Sequence, residues 1–180
     1  MDKNDAFLGK EEIITDILAQ IDEAALAEAQ LDEFTVIETS DQTPLGEPVQ
    51  EYTRWKDQMD KWGYTWEAFE VTTEDDYILT TFRITGKVGE TAFSPTKGAV
   101  LIQHGYTMDA ANWISDYTTK PMPLILADNG YDVWMGNNRG TEYSRGNRKG
   151  LNISQKEFWA WDWGEMGIYD DPAIINFIKK

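Results

Sequence analysis

An α/β fold, in which a β-hairpin leads into parallel strands joined by crossover helices, follows from three observations. Two β-rich runs, Trp66–Thr73 and Tyr77–Ile84, are separated only by Glu74-Asp75-Asp76. Two short apolar runs, Ala99–Gln103 and Tyr131–Met135, each lead directly into a glycine-containing segment. A stretch of helical spacing lies between these runs and another follows them. Hairpin, strand, helix, strand, helix is the element order of an α/β protein.

Each element has its own justification. Trp66–Thr73 alternates apolar and polar residues, the period of a half-buried strand. Tyr77–Ile84 is rich in β-branched and aromatic residues and returns antiparallel across the acidic turn. Gly86 to Gly98 reads as a loop, with Gly86, Gly89, Pro95 and Gly98 as breakers. Ala99–Gln103 is continuously apolar up to its last residue, the pattern of a strand buried on both faces. Pro123–Asn129 has helical spacing and stops at Asn129-Gly130. Tyr131–Met135 is the next buried strand, followed by Gly136-Asn137-Asn138-Arg139-Gly140. Asp171 and Pro172 are suited to be the N-cap and first residue of a helix through Ala173, Ile174, Ile175, Phe177 and Ile178.

Composition sets the bounds. With 180 residues the chain is about one domain long. Aromatics at 13%, eight of them Trp, argue for a packed core. No run of 18 apolar residues is present, so no spanning helix is expected, and Met1-Asp2-Lys3-Asn4-Asp5 shows no signal peptide. There is no cysteine, which excludes disulfides, thiolate zinc sites and cysteine nucleophiles. The net charge of −16 argues against nucleic acid as a partner. A single histidine, His104, excludes mechanisms that need two. Neither a cofactor nor a metal is called for.

The charge is unevenly spread. Residues 1–51 carry 14 acids against 2 bases, net −12, and residues 52–180 carry 18 acids against 14 bases, net −4. The chain therefore divides into an acidic arm, 1–51, and a nearly balanced body, 52–180. In the arm, Ile13, Ile17, Ile21 and Ala25 recur every four residues and predict an amphipathic helix over about 10–33. Residues 39–48, with Pro44, Gly46 and Pro48, read as linker. Such a helix is either a solvated face on a tether or a docking element for a partner protein. Its acidic polar face does not suit an anionic membrane.

In the body, Val71 to Leu79 with Arg83-Ile84, Gln103-His104-Gly105, and Ala111-Asn112-Trp113-Ile114-Ser115 follow one another in order. Leu126 to Gly140, Tyr143-Ser144-Arg145, Phe158-Trp159, Asp162, Glu165-Met166 and Tyr169-Asp170-Asp171-Pro172-Ala173 complete the series. From about Trp62 to Lys180 the chain resembles the acid lipase family, which includes gastric lipase, lysosomal acid lipase and steryl ester hydrolases. Three positions depart from that pattern: Tyr106 stands where the family usually has Leu, Asp76 where it has Gly, and Asp171 where it has Leu.

The resemblance implies an α/β-hydrolase that cleaves neutral-lipid esters, triacylglycerols or steryl esters, with a Ser-His-Asp triad. The serine of such a fold sits in G-x-S-x-G on a strand-to-helix turn. No serine here fits that motif; Ser144 has Gly146 after it but Glu142 before it. In the family the nucleophile lies one strand past the helix that opens at Pro172, and the Asp and His come later. The expectation is that this chain carries the N-terminal part of the lipase domain, with no catalytic residue of its own. The substrate is then engaged only with the missing C-terminal half.

His104, Gly105 and Tyr106 are expected to form the oxyanion-hole loop, with the Tyr106 backbone amide as donor. For His104 the alternatives are a plain strand-end residue, or a base or ligand. Trp113, Trp134 and Trp159 are expected in core or pocket wall; Trp159, Trp161 and Trp163 alternate, with packing or lipid contact as readings. Arg139 is expected to be structural, paired with Asp132 or Asp170. Asn152-Ile153-Ser154 is a glycosylation acceptor only on the secretory route. The family suggests lysosome, secretion or lipid droplets as location. A stand-alone interaction protein using arm and body is the competing function, and a histidine-independent hydrolase is a third.

Overall fold

The computed structural model describes residues 52–90, 94–115 and 118–180. The helix and linker expected within 1–51 lie outside the described residues. The body opens with α1 (Thr53–Trp62), closed by Gly63 in the left-handed region at φ 73°. Strand β1 (Tyr64–Thr72) and strand β2 (Tyr77–Lys87) form the expected hairpin. Asp76 makes its turn at φ 77°. After the loop come β3 (Ala99–Ile102), α2 (Met122–Asp128) and β4 (Asp132–Met135). A two-residue strand, β5 (Gly146–Asn147), pairs with the start of β2.

The sheet runs β1-β2-β4-β3, with β5 beside β2. Its β2–β4 pairing is antiparallel and its β3–β4 pairing parallel. The period of two along β2 separates two cores. Phe82 and Ile84 face one side, where Trp55 and Met59 of α1, Leu124 of α2 and Ile114 pack. Trp55 lies parallel to Phe82 at 4.3 Å between ring centroids. Tyr77 and Leu79 face the other side, with Val71, Phe158 and Ile174.

Two expectations need correction. Only Ile102 of β3 is buried; Val100 and Leu101 are half-buried and Ala99 is exposed. An apolar run shows that a strand seeks cover, not how many neighbours it has, and β3 has one neighbour, β4, among the described residues. Asp171 is not an N-cap. The helical segment starts at α3 (Trp163–Glu165), where Asp162 accepts from the Gly164 amide and Glu165 accepts from the Asp162 amide. This is a capping box. The chain then passes through a wide turn, Met166–Asp170, into α4 (Asp171–Ile178). Pro172 has no N–H to give, and the wider turn before it accommodates the break in the helical ladder.

The exposed edge yields a prediction. Asp132 N–H donates to Gly98 O and Gly136 N–H to Ile102 O. In a parallel pair, alternate residues bond the neighbour, so Val100 and Ile102 face β4 while Leu101 faces outward. Hydrogen exchange on monomeric protein is expected to show slow Val100 and Ile102 amides and a fast Leu101 amide. Lasting protection of Leu101 would show that another segment pairs with this edge.

Candidate active-site loop and cavity

Residues 103–108 leave β3 at the C-terminal edge of the sheet, the edge at which α/β proteins bind ligands. His104 is committed on both ring nitrogens. The Asn138 amide donates to Nε2 at 3.1 Å, so Nε2 carries no proton in this arrangement. Nδ1 lies 2.8 Å from Gly105 O and is the protonated nitrogen that donates to it. Gln103 Nε2 donates to Asn138 Oδ1 at 2.7 Å. Asn138, from the loop after β4, thus holds two consecutive residues of the loop after β3.

The preceding residue, Asn137, is fully buried and extends the bracing. Its Oδ1 accepts from the Ala110 amide and its Nδ2 donates to Thr80 O, both at 2.9 Å. Ser144 is buried; its Oγ accepts from the Thr80 amide and donates to Asn137 O. Its hydroxyl is therefore a strut between strand and loop. Between these anchors Thr107 holds φ at 62°, a strained choice for a β-branched residue. A Cβ at Gly105 would meet nothing closer than the Met108 sulfur, at 3.6 Å, so packing among the described residues does not demand glycine there. The Tyr106 amide donates to no described residue.

Beneath the loop lies a cluster that fixes three elements together. Arg139 is 1% exposed. Its backbone N–H and Nε donate to the two oxygens of Asp170, each at 2.8 Å. Its terminal nitrogens fork onto Asp75 at 2.6 and 2.8 Å. The guanidinium also stacks over Tyr77 at 4.1 Å. Asp170 was among the expected partners; Asp132 instead pairs with Arg83. Burial acts to raise the Asp75 carboxyl, but hydrogen bonds from Arg139 and Thr73 outweigh it and hold that carboxyl below its ordinary range.

The loop rims a cavity of about 570 Å³, closed on the other side by Trp161, Trp163 and Asp171. Tyr106 and Trp163 are both more than 70% exposed, and their rings meet 5.9 Å apart at the rim. Gly140 is required beneath it: φ is 80°, and a Cβ would come within 2.7 Å of Trp161 and 2.8 Å of Trp159. Trp134 is buried in the sheet and Trp113 packs on the larger core, as expected. Trp159 departs from expectation: it is 44% exposed and lines neither core nor cavity. Asn152 is exposed.

The description of a partial alpha/beta-hydrolase lipase region fits residues 56–117. Lipase member M of Mus musculus is 48% identical over 118 residues, which are 66% of this chain and 28% of that protein. Lysosomal acid lipase/cholesteryl ester hydrolase of Homo sapiens is 47% identical over 118 residues, 65% of this chain and 29% of that protein. The body of this chain belongs to the acid lipase family. Triacylglycerol lipase 2 of Arabidopsis thaliana, at 48% over 118 residues, extends the likeness to plants. The chain spans less than a third of the length of these relatives. The hairpin followed by the β3–α2–β4 unit is the N-terminal region of the α/β-hydrolase fold. Among the described residues no helix is long and apolar enough to cross a membrane.

Proposed function

We propose that this chain supplies the oxyanion-hole loop and one wall of the substrate cavity of a neutral-lipid ester hydrolase, acting on triacylglycerols or steryl esters. The observation that carries the reading is the loop His104-Gly105-Tyr106, held at the end of β3 beside the cavity with the Tyr106 amide uncommitted. An amide held in place before the reaction stabilises a developing oxyanion without reorganising as charge builds up. His104 serves as the anchor of that loop, because both of its nitrogens are used in holding it. The nucleophile, the acid and the base then come from outside these 180 residues, since the chain holds no G-x-S-x-G and no second histidine.

The purified 180-residue chain is expected to show no turnover of p-nitrophenyl butyrate or emulsified triolein above buffer. Turnover that disappeared on treatment with a serine-directed phosphonate would overturn this assignment of roles.

A further inference from the structure

The loop that carries the Tyr106 amide is fixed at both ends, by different means. Its start is held where His104 accepts from the Asn138 amide. Its end is Asp109, which is 8% exposed and caps the short 3-10 helix Ala110–Trp113. Asp109 Oδ1 accepts from the Ala111 amide at 3.0 Å, and the Asp109 amide donates to Asn112 Oδ1 at 2.9 Å. Ala110 and Ala111 are fully buried, so this anchor is seated in the larger core. The remaining oxygen, Oδ2, accepts from Arg54 Nη2.

Arg54 stands on α1, ahead of the stretch that resembles the acid lipases, and does not itself line the cavity. Its Nη2 also lies 3.4 Å from Glu142 Oε2, and its guanidinium stands over the Tyr143 ring at 5.9 Å. One side chain thus reaches both the segment after β3 and the segment after β4, through two carboxylates that line the cavity. The Arg54 side chain is 41% exposed, so the pair adds little to global stability. Its effect is local. Residues 105–108 are exposed and Thr107 holds φ at 62°, a conformation that persists only where the surroundings impose it. The surroundings of this loop are its two ends.

We propose that Arg54 is a positioning residue for the oxyanion loop: through Asp109 it fixes the far end of the loop and so holds the Tyr106 amide where an oxyanion develops. The inference rests on the oxyanion-loop reading and deepens it. An amide held loosely has to reorganise as charge builds up, which raises the barrier without changing how substrate binds.

The test is NMR on the ¹⁵N-labelled 180-residue chain, with hydrogen exchange read residue by residue. Arg54→Met is expected to move the Tyr106, Thr107 and Met108 amide resonances and to speed exchange of the Ala111 amide about tenfold, the scale of one hydrogen bond to a charged group. Exchange at Phe82 and Met135, inside the sheet, is expected to stay unchanged. Asp109→Asn keeps an acceptor oxygen but loses the charge. It is expected to give the same changes, and the double variant no more than either single one. Should Arg54→Met fail to fold, Asp109→Asn reads the same loop. Arg54→Lys is expected to restore part of the parent spectrum. Lys56→Met, which removes a cation paired with Asp60 inside α1, is expected to leave the loop unmoved. In an enzyme completed with the C-terminal region of human lysosomal acid lipase, Arg54→Met is expected to lower kcat for p-nitrophenyl butyrate about tenfold with KM unchanged. Unmoved loop amides, faster exchange shared equally by Phe82 and Met135, or an undiminished kcat overturns the role of Arg54 alone. A completed enzyme whose kcat survives removal of the Tyr106 amide overturns the oxyanion reading as well.

Discussion

Replacing Arg139 with Met is expected to destabilise the body by about 3–5 kcal/mol, the cost of stripping a buried charge partner from its carboxylates. Arg139 is enclosed, and Asp170 is completely so. Its guanidinium joins the turn between β1 and β2, through Asp75, to the end of the wide turn before α4, through Asp170. Met restores much of the volume but leaves Asp170 with only the Arg139 backbone N–H among these bonds. A loss of this size is a large fraction of the total stability of a domain, about 5–15 kcal/mol. Urea unfolding followed by tryptophan fluorescence measures it, with an unchanged slope confirming that stability alone has moved. Arg139→Lys is expected to recover little, since an ammonium cannot fork onto two carboxylates. Asp75→Asn is expected to cost much less than Arg139→Met, because the Asp75 side chain is 28% exposed. A loss below about 1 kcal/mol for Arg139→Met, the scale of a surface pair, would contradict the placement of this cluster at the base of the loop.

The parts of the fold that follow from local pattern were legible in the residues. The alternation of Trp66–Thr73 and the β-rich run from Tyr77 gave the hairpin, and Asn129-Gly130 gave the end of α2. Helix α1 has its own mark in the sequence: Tyr52, Trp55 and Met59 lie three and four residues apart and are all buried. The continuous helical segment from Trp163 also had its mark, Asp162 and Glu165 at capping-box spacing, but Pro172 is the louder start signal and sits inside the segment. Other features depend on contacts distant in sequence. Asp75 lies 64 residues from Arg139, and nothing local to either singles out the pair. The partial exposure of β3 likewise depends on which strands assemble beside it. At the site, Gln103-His104-Gly105 pointed to the loop, whereas the role of Asn138 in holding it depends on two strand ends meeting in space.

The measurement that bears most directly on the account is kinetic and uses a complete enzyme. The 180 residues are joined to the C-terminal region of human lysosomal acid lipase that follows the matching stretch, and kcat is determined for p-nitrophenyl butyrate. Tyr106→Leu keeps the backbone amide and is expected to leave kcat within a few-fold of the parent chimera. Tyr106→Pro removes that amide and is expected to lower kcat by about 10²–10³-fold, the effect of losing one oxyanion donor. Circular dichroism and thermal melting of both variants confirm equal folding. A folded Tyr106→Pro chimera with undiminished kcat would contradict the assignment of the His104-Gly105-Tyr106 loop as the oxyanion hole.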